Sequence, residues 1–216
     1  MTVDKPRGWT SFDVVKKIRA ISGERKVGHA GTLDPFAQGV LVLGIGRKGT
    51  KQLGRLALLE KEYEARLRLG IGTDTLDCDG KVISRMPLPQ LCEKDIKEVF
   101  RSFTRTVMQT PPMFSAKKVA GTRLYKLARQ NIEVDRAPVA IEIKSLTLNS
   151  FSEDTIDFSV TCSKGTYVRQ LGADLALALG TVGHLVALKR MRVGHFTLEE
   201  SKGLEELSKK WLSTAE

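Results

Sequence analysis

The sequence predicts an α+β fold built on a mixed or antiparallel sheet flanked by helices. The first observation is the alternation of apolar and polar residues in EYEARLRLGI (62–71) and in TIDFSVTC (155–162). Such alternation is typical of strands with one buried and one exposed face. The second is that predicted helices and strands are about equally numerous. The third is a length of 216 residues, 41% of them hydrophobic, which is enough for one large domain or at most two small ones.

The predicted elements follow in chain order. A helix is expected over 12–22, with Thr10 or Ser11 as its cap and Gly23 as its end. VLVLGIG (40–46) predicts a buried strand and TKQLGRLALLE (50–60) a helix, and strand 62–71 places Tyr63 at its start, on the apolar face. VAIEI (139–143) is another alternating strand. The other predicted helices cover 93–103, 123–130, 167–179 and 199–212.

The charge balance indicates a partner made of phosphates. The formal net charge is +10 and the pI is near 9.6. Residues 117–130 hold five cations and no acid, and residues 187–195 hold three cations and no acid, whereas 199–216 is slightly acidic. Tyr125 lies inside the first cluster, and cations beside an aromatic ring can bind both phosphates and bases.

Other classes of protein are disfavoured. Cys78, Cys92 and Cys162 are far apart, which gives neither a metal-binding spacing nor a disulfide framework and predicts a reducing, cytoplasmic compartment. The first residues lack the apolar core of a signal peptide, and no apolar run is long enough to span a membrane. None of the three histidines has a partner at metal-ligand spacing.

Two motifs resemble ligand loops but lack the context that would confirm them. GIGRKG (44–49) matches the glycine pattern of a dinucleotide-binding turn, yet the following strand alternates instead of being fully apolar and ending in an acid. TDTLDCDG (73–80) resembles a calcium loop, but Met86 falls where a bidentate glutamate is required. A tight turn ending at Gly80 accounts better for those carboxylates.

Asp34, in GHAGTLDPFAQGVLVLG (28–44), allows two interpretations. Asp-Pro is a common helix start, with Asp34 as the cap of a short helix over 35–38 that Gly39 ends, and local grounds favour this. However, Asp34 also lies in a glycine-rich loop near His29 and before a buried strand, a setting in which catalytic groups are often found. The two interpretations are compatible, because the extended conformation that Pro35 favours can still direct the carboxylate into a cleft.

Five motifs in order show that the chain closely resembles the TruB family of tRNA pseudouridine synthases. They extend from residue 4 to about residue 196, and together they are far more specific than any one alone. The motifs are DKPRGWTS (4–11), GHAGTLDPFAQGVL (28–41), KEYEARLRLGIGTDTLDCDG (61–80), PPMFSAKKVAGTRLYKLARQ (111–130) and CSKGTYVRQL (162–171).

The resemblance implies the pseudouridine synthase α+β fold with a central cleft, as one catalytic domain over 1–216. It implies isomerisation of uridine to pseudouridine at position 55, in the TΨC arm of tRNA, by a monomer that needs no cofactor or metal. The target uridine would be flipped out of its stack. Most bacterial relatives of the family continue into a small PUA-type RNA-binding domain, which we expect to be absent from this chain.

The resemblance also assigns site residues. Asp34 matches the nucleophile, and Arg169 matches the arginine that pairs with it. Tyr63 matches the tyrosine that stacks on the target base and that, in a route through a glycal, takes the sugar C2′ proton. His29 matches a residue that fills the vacated stack or supports the flipped arm, and Tyr167 and Leu188 match the lining of the uracil pocket. Lys5 and Pro6 belong to a motif that braces the catalytic loop. RNA phosphates are expected on Lys117, Lys118, Arg123, Lys126, Arg129, Lys189 and Arg190.

Two alternatives stay open at this stage. An RNA chaperone could bind and refold tRNA without chemistry, and a guide-RNA-dependent pseudouridine synthase would share these motifs. Activity on bare, unmodified tRNA would exclude the guide-dependent alternative, and a catalytically dead variant would separate enzyme from chaperone.

Overall fold

The computed structural model describes residues 1–119, 121–130 and 132–212 of the chain, with side chains through residue 209. The helices are α1 (Ser11–Ser22), α2 (Gly46–Leu56), α3 (Glu93–Phe103), α4 (Leu124–Ala128), α5 (Val168–Ala178) and α6 (Leu204–Leu212). The strands are β1 (Thr2–Lys5), β2 (Val27–Ala30), β3 (Gln38–Ile45), β4 (Lys61–Leu69), β5 (Ile71–Thr73), β6 (Val82–Arg85), β7 (Thr106–Gln109), β8 (Lys118–Val119), β9 (Thr122–Arg123), β10 (Val139–Phe151), β11 (Thr155–Cys162), β12 (Gly183–Val193) and β13 (Phe196–Thr197).

A mixed sheet forms the centre of the fold, as predicted. Its hydrogen-bonded order is β1-β3-β12-β4-β11-β10-β7, with β2 added on β3 and β13 on β12. The β3–β12 pair is parallel, whereas β1–β3, β2–β3, β10–β11 and β7–β10 are antiparallel. The chain divides into two compact units, the first comprising 1–64 with 187–216 and the second comprising 65–186.

In the first unit, helices α1 and α6 pack with strands β1, β2 and β3. Their shared core includes Val3, Val14, Ile18 and Leu41, each at 0% exposure. A second cluster around Ala30, Val40, Val42 and Val193 receives the apolar side of α2 and the loop that follows it. Because β3 is buried from Gly39 to Gly44, both ends of this strand have fixed positions.

In the second unit, α3 packs against β10 and contacts α5. Phe100 of α3 meets Phe158 of β11 edge to face, with 5.9 Å between the ring centroids. Helix α5 approaches the sheet closely, because a β-carbon at Gly172 would lie 2.8 Å from Leu185 and one at Gly183 would lie 2.8 Å from Ala176. Close packing at these two glycines holds the middle of α5 against the sheet, and the start of this helix carries two predicted site residues.

Several element bounds were predicted closely. Helix α1 begins after Thr10, whose side chain and that of Asp13 form a reciprocal capping box, and it ends at a left-handed Gly23. Helix α3 has the predicted bounds. Helix α2 begins at Gly46, four residues before the expected start, and β10 extends to Phe151 because it pairs with β11 over most of its length. None of the helices in the described part of the chain is long and apolar enough to cross a membrane.

Candidate active site

Asp34 lies in a loop between β2 and β3 and does not cap a helix. The predicted helix over 35–38 is wrong: the chain makes a single turn, in which the Ala37 amide donates to the Asp34 carbonyl at 3.1 Å, and then enters β3 at Gln38. Sheet pairing of β3 on both sides requires extended backbone from Gln38 onward, and this excludes a helical continuation. The Asp34 side chain is half-buried.

Contacts from the opening motif fix the loop around Asp34, which we call the Asp34 loop (Gly31–Ala37). The Ser11 hydroxyl donates to the Leu33 carbonyl at 3.0 Å and accepts from the Leu33 amide at 2.8 Å. The Gly8 amide donates to the Pro35 carbonyl at 2.8 Å. Residues on both sides of Asp34 are therefore held to the segment between β1 and α1.

Lys5 is completely buried and braces the same loop, as the resemblance implied. Its ammonium donates to the carbonyls of Pro6 at 2.9 Å, Trp9 at 2.6 Å and Pro35 at 3.4 Å. Burial lowers the pKa of Lys5 to about 8, although the nearby charge of Asp34 opposes the shift. The Lys5 cation and the Asp34 carboxylate therefore stabilise one another within the first unit.

The depressed pKa of Lys5 predicts a pH-dependent stability. Above pH 8 the folded protein has released this proton, whereas the unfolded chain keeps it until about pH 10.4, so folding becomes more favourable over that interval. We expect the free energy of unfolding of the wild type to increase relative to that of Lys5→Met as pH rises from 8 to 10. Urea denaturation at a series of pH values measures it, and a pH-independent difference would contradict it.

Arg190 is only 1% exposed and connects the start of the Asp34 loop with strand β3, which follows the loop. Its Nε donates to the Val40 carbonyl at 2.7 Å, and an Nη donates to the Gly31 carbonyl at 3.0 Å. Gly39 pairs with Arg190 across the parallel strands at φ +101°, and a β-carbon there would lie 2.3 Å from the Arg190 carbonyl. The prediction that Arg190 binds RNA phosphates is therefore wrong, because its donors are directed into the protein.

Arg190 and its neighbour Lys189 should respond differently to substitution. We expect Arg190→Met to lower kcat by about tenfold or more at nearly unchanged Kd for tRNA, because two buried charged hydrogen bonds to the loop are lost. Arg190→Lys should not restore kcat, because an ammonium cannot reproduce the guanidinium fork. Lys189→Met should instead raise Kd. Single-turnover kinetics and tRNA binding separate these effects, and an unchanged kcat in Arg190→Met would refute the bracing role.

The other predicted site residues of the first unit lie on its sheet. Tyr63 lies on the buried face of β4 at 8% exposure, and Leu188 lies on β12 at 6%. His29 is half-buried on β2, and its Nδ1 is buried without a hydrogen-bond partner among the described residues. Burial, and secondarily the charge of Arg190, lowers the pKa of His29, so the neutral ring predominates at neutral pH.

Arg169 lies in the second unit, on the first turn of α5, and is 4% exposed. Its guanidinium donates to the carbonyls of Thr75 at 2.5 Å and Phe114 at 2.8 Å, and it lies 3.4 Å from the carboxylate of Asp77. Asp77 is itself buried and accepts from the Thr75 hydroxyl and the Asp79 amide. The pairing of Arg169 with Asp34 stays a prediction.

Asp77 was not predicted as a site residue. Its segment was interpreted as a tight turn, and the backbone does turn there, with Leu76 at φ +62°. A non-glycine residue in that conformation is unusual and marks a backbone held by its surroundings. The turn is attached to the start of β12, since the Leu185 amide donates to the Leu76 carbonyl at 3.1 Å. The only signal in the sequence was an acid in a polar turn motif. Neither its burial nor its partner could be identified from the sequence.

Tyr167 immediately precedes α5 and is half-buried. The side-chain amide of Gln109 donates to its carbonyl at 3.1 Å and accepts from its backbone amide at 2.9 Å. Gln109 is 4% exposed at the end of β7, and sequence reasoning did not single it out. This two-point contact fixes the backbone at Tyr167 and leaves the ring half-buried.

Most cations of the predicted RNA-binding cluster are exposed. The segment forms the short β8–β9 hairpin followed by α4, with Ala120 outside the described residues. Arg129 lies over the ring of Tyr125, with the guanidinium carbon 5.7 Å from its centroid. The exposed side chains are Lys118, Arg123, Lys126 and Arg129, whereas Lys117 and Lys189 are partly buried.

The glycines of GIGRKG serve helix–strand packing. Gly46 has φ +67°, and a β-carbon at Gly44 would lie 2.5 Å from the Gly49 carbonyl. They let α2 turn directly off the end of β3. Within the described ranges, no group of three or more His, Cys, Asp and Glu side chains could hold a metal ion.

The chain is similar to proteins named tRNA pseudouridine synthase B. The Thermobifida fusca protein is 46% identical over 95% of this chain and 73% of its own length. The Protochlamydia amoebophila protein is 46% identical over 92% of this chain and 75% of its own length. The chain therefore spans about three quarters of the length of these two relatives.

The chain is also similar to solved structures. The chain is similar to a structure described as a Cbf5-Nop10-Gar1 complex, with a TM-score of 0.79 and 28% identity over the whole chain and 55% of that protein. An archaeal box H/ACA Nop10-Cbf5 complex gives 0.74 and 25%, covering 54% of that protein. The model of the N-terminal domain of TruB family pseudouridylate synthases matches residues 19–168, and that of the C-terminal domain of tRNA pseudouridylate synthase B matches 169–216. The chain belongs to the TruB family of pseudouridylate synthases.

Proposed function

We propose that this protein isomerises uridine to pseudouridine at position 55, in the TΨC arm of tRNA, as a cytoplasmic monomer. The observation that carries the proposal is the bracing of the Asp34 loop by Lys5, Ser11 and Arg190, three side chains buried to 2% exposure or less. Two buried cations donate hydrogen bonds to this one short loop, and these bonds fix the position of the Asp34 carboxylate that the loop carries. Such preorganisation is what a nucleophile requires.

The chemistry needs an ionised carboxylate at the target nucleotide. The N1–C1′ bond of uridine breaks, the uracil turns, and C5 bonds to C1′; C5 then loses a proton and N1 gains one, so the product is an isomer. Asp34 acts at the sugar or at the base in this sequence. Arg169 is proposed to pair with Asp34, to favour its ionised form and to fix its direction.

The target uridine must leave its stack to reach Asp34. Tyr63 is proposed to stack on the flipped uracil, with Tyr167 and Leu188 beside it. His29 is proposed to occupy the vacated stack or to support the flipped arm, and a neutral ring with one unsatisfied nitrogen suits contact with bases better than with phosphates. Exposed cations of the β8–β9 hairpin and α4, together with Lys189, would hold RNA phosphates.

An assay on unmodified tRNA transcript tests the proposal. Pseudouridine at position 55 should appear without added guide RNA, cofactor or metal, and a transcript with cytidine at 55 should give none. Formation only with a guide RNA would favour the guide-dependent alternative. Binding and refolding of tRNA with no product would favour the chaperone. Sedimentation of the protein with and without tRNA checks the monomeric state.

A further inference from the structure

Helix α2 presents a row of cations that the proposed catalytic site does not use. Arg47, Lys51 and Arg55 are spaced four residues apart, so they share one helix face at intervals of about 6 Å along the axis. Lys48 lies beside the row, and α2 contains no acidic residue. All four side chains are exposed, and none pairs with another side chain of the described residues. We call these four residues the α2 cation row.

The loop before β2 extends the positive surface. The Gly46 amide at the start of α2 donates to the Lys26 carbonyl at 2.8 Å, so the exposed Arg25 and Lys26 adjoin the row. One acid is nearby: Glu24 accepts from the Lys26 amide and lies close to Gly46. Six cations and one carboxylate therefore occupy this surface of the first unit.

The cations do not stabilise the helix that carries them. Like charges four residues apart repel, and Arg47 and Lys48 lie in the first turn, where the helix dipole disfavours positive charge. Ile45 provides no side-chain cap, and two interior glycines, Gly49 and Gly54, weaken helix formation further. Packing of Leu53 and Leu56 on the sheet core holds α2 in place. A polyanion bound along the row would remove the repulsion.

The row runs from the far end of β3 back toward the Asp34 loop. Strand β3 starts beside that loop at Gln38 and ends at Ile45, and α2 then returns over β2 and β3. Leu53 contacts Gly28, and the following Lys61 ammonium donates to the carbonyls of Ala57 and Leu59. The row therefore lies on the helix that covers β2 and β3, the two strands that the Asp34 loop connects.

We propose that the α2 cation row binds the phosphodiester backbone of the substrate RNA, as a second phosphate-binding surface besides the β8–β9 hairpin and α4. This inference rests on the proposed function, because it takes the substrate to be RNA. A row of exposed cations on a helix that contains no aromatic residue suits phosphates better than bases. Its contribution is to affinity and encounter rate, and the chemical step does not depend on it.

The test compares two triple substitutions of equal charge. Arg47→Gln/Lys51→Gln/Arg55→Gln removes the row, and Lys94→Gln/Lys97→Gln/Arg101→Gln removes three exposed cations of α3 as a control. The Kd for full-length unmodified tRNA is measured from 50 to 400 mM KCl. We expect the row variant to bind at least tenfold more weakly at 150 mM and its log–log salt slope to fall by about 2 to 3, with kcat at saturating tRNA unchanged. The control should change the slope by less than about 1.

Two further measurements distinguish an effect of the substitutions on folding from the effect of the lost charge on RNA binding. The melting temperature of the row variant should equal or exceed that of the wild type, because like-charge repulsion is relieved. Arg47→Lys/Arg55→Lys, which keeps the charge, should keep the salt slope. Equal slopes for the row variant and the α3 control, or a slope equal to the wild type's, would overturn the proposal. A wild type that binds tRNA through the row but forms no pseudouridine would refute the proposed function alone.

Discussion

Replacing Asp34 by Asn is expected to abolish pseudouridine formation while leaving tRNA binding intact. The amide is nearly the same size and fits the same half-buried place, but it carries no charge and is a poor nucleophile. We expect the single-turnover rate to fall by roughly 10³-fold or more, equivalent to about 4 kcal/mol of barrier. The Kd for unmodified tRNA should change by less than about threefold, because phosphate contacts dominate affinity.

The matched control is Asp135→Asn, the same substitution at an exposed acid outside the proposed site. Its rate should equal that of the wild type. Equal product from wild type and Asp34→Asn would refute the assignment of the nucleophile. A loss of tRNA binding in Asp34→Asn would show that the carboxylate positions the loop instead of reacting.

The substitution with the largest expected effect on stability is Arg169→Met. It would leave the Asp77 carboxylate buried without its cation and remove donors from the carbonyls of Thr75 and Phe114. Removing one partner of a buried ion pair typically costs about 3–5 kcal/mol. We expect a loss of that order in the free energy of unfolding, measured by urea denaturation, together with loss of activity.

A double-mutant cycle separates stability from function at this pair. Asp77→Leu combined with Arg169→Met removes both charges, and it should recover part of the lost stability, because an uncharged pair avoids the desolvation cost. Activity should stay absent in the double variant if Arg169 acts on Asp34. A double variant that regains activity together with stability would show that Arg169 serves only the fold. Fully additive losses would show that the 3.4 Å contact contributes nothing.

Local signals identified the elements whose bounds depend on nearby residues. The capping box of Thr10 with Asp13 and the left-handed Gly23 define α1 without help from the rest of the chain. The alternation in β4 likewise gave the buried face on which Tyr63 lies. Both signals operate within a few residues, so they can be recognised in a single sequence.

Non-local pairing decided the elements that were missed or shifted. Asp-Pro favoured a helix after Asp34, but hydrogen bonds from β1 and β12 to β3 outweighed that preference. The residues of strand β12 were interpreted only as a basic cluster, because its three cations made the extended segment difficult to recognise in the sequence. Two of them are engaged within the protein: the buried Arg190 holds the Asp34 loop, and the partly exposed Arg192 pairs with Glu60 and Glu62 at 3.0 Å.

By itself the sequence determined the α+β class, the ordered motifs of the family and the aspartate in its glycine-rich loop, because these depend on residue identity and short spacing. Only the tertiary structure decided that Lys5 and Arg190 are buried braces, that Asp77 is the acid beside Arg169, and that Gln109 holds Tyr167. The contacts that show this join residues far apart in the chain, from 30 positions for Lys5 to Pro35 up to 159 for Arg190 to Gly31. A linear sequence does not specify which buried charge meets which carbonyl until the sheet has placed them.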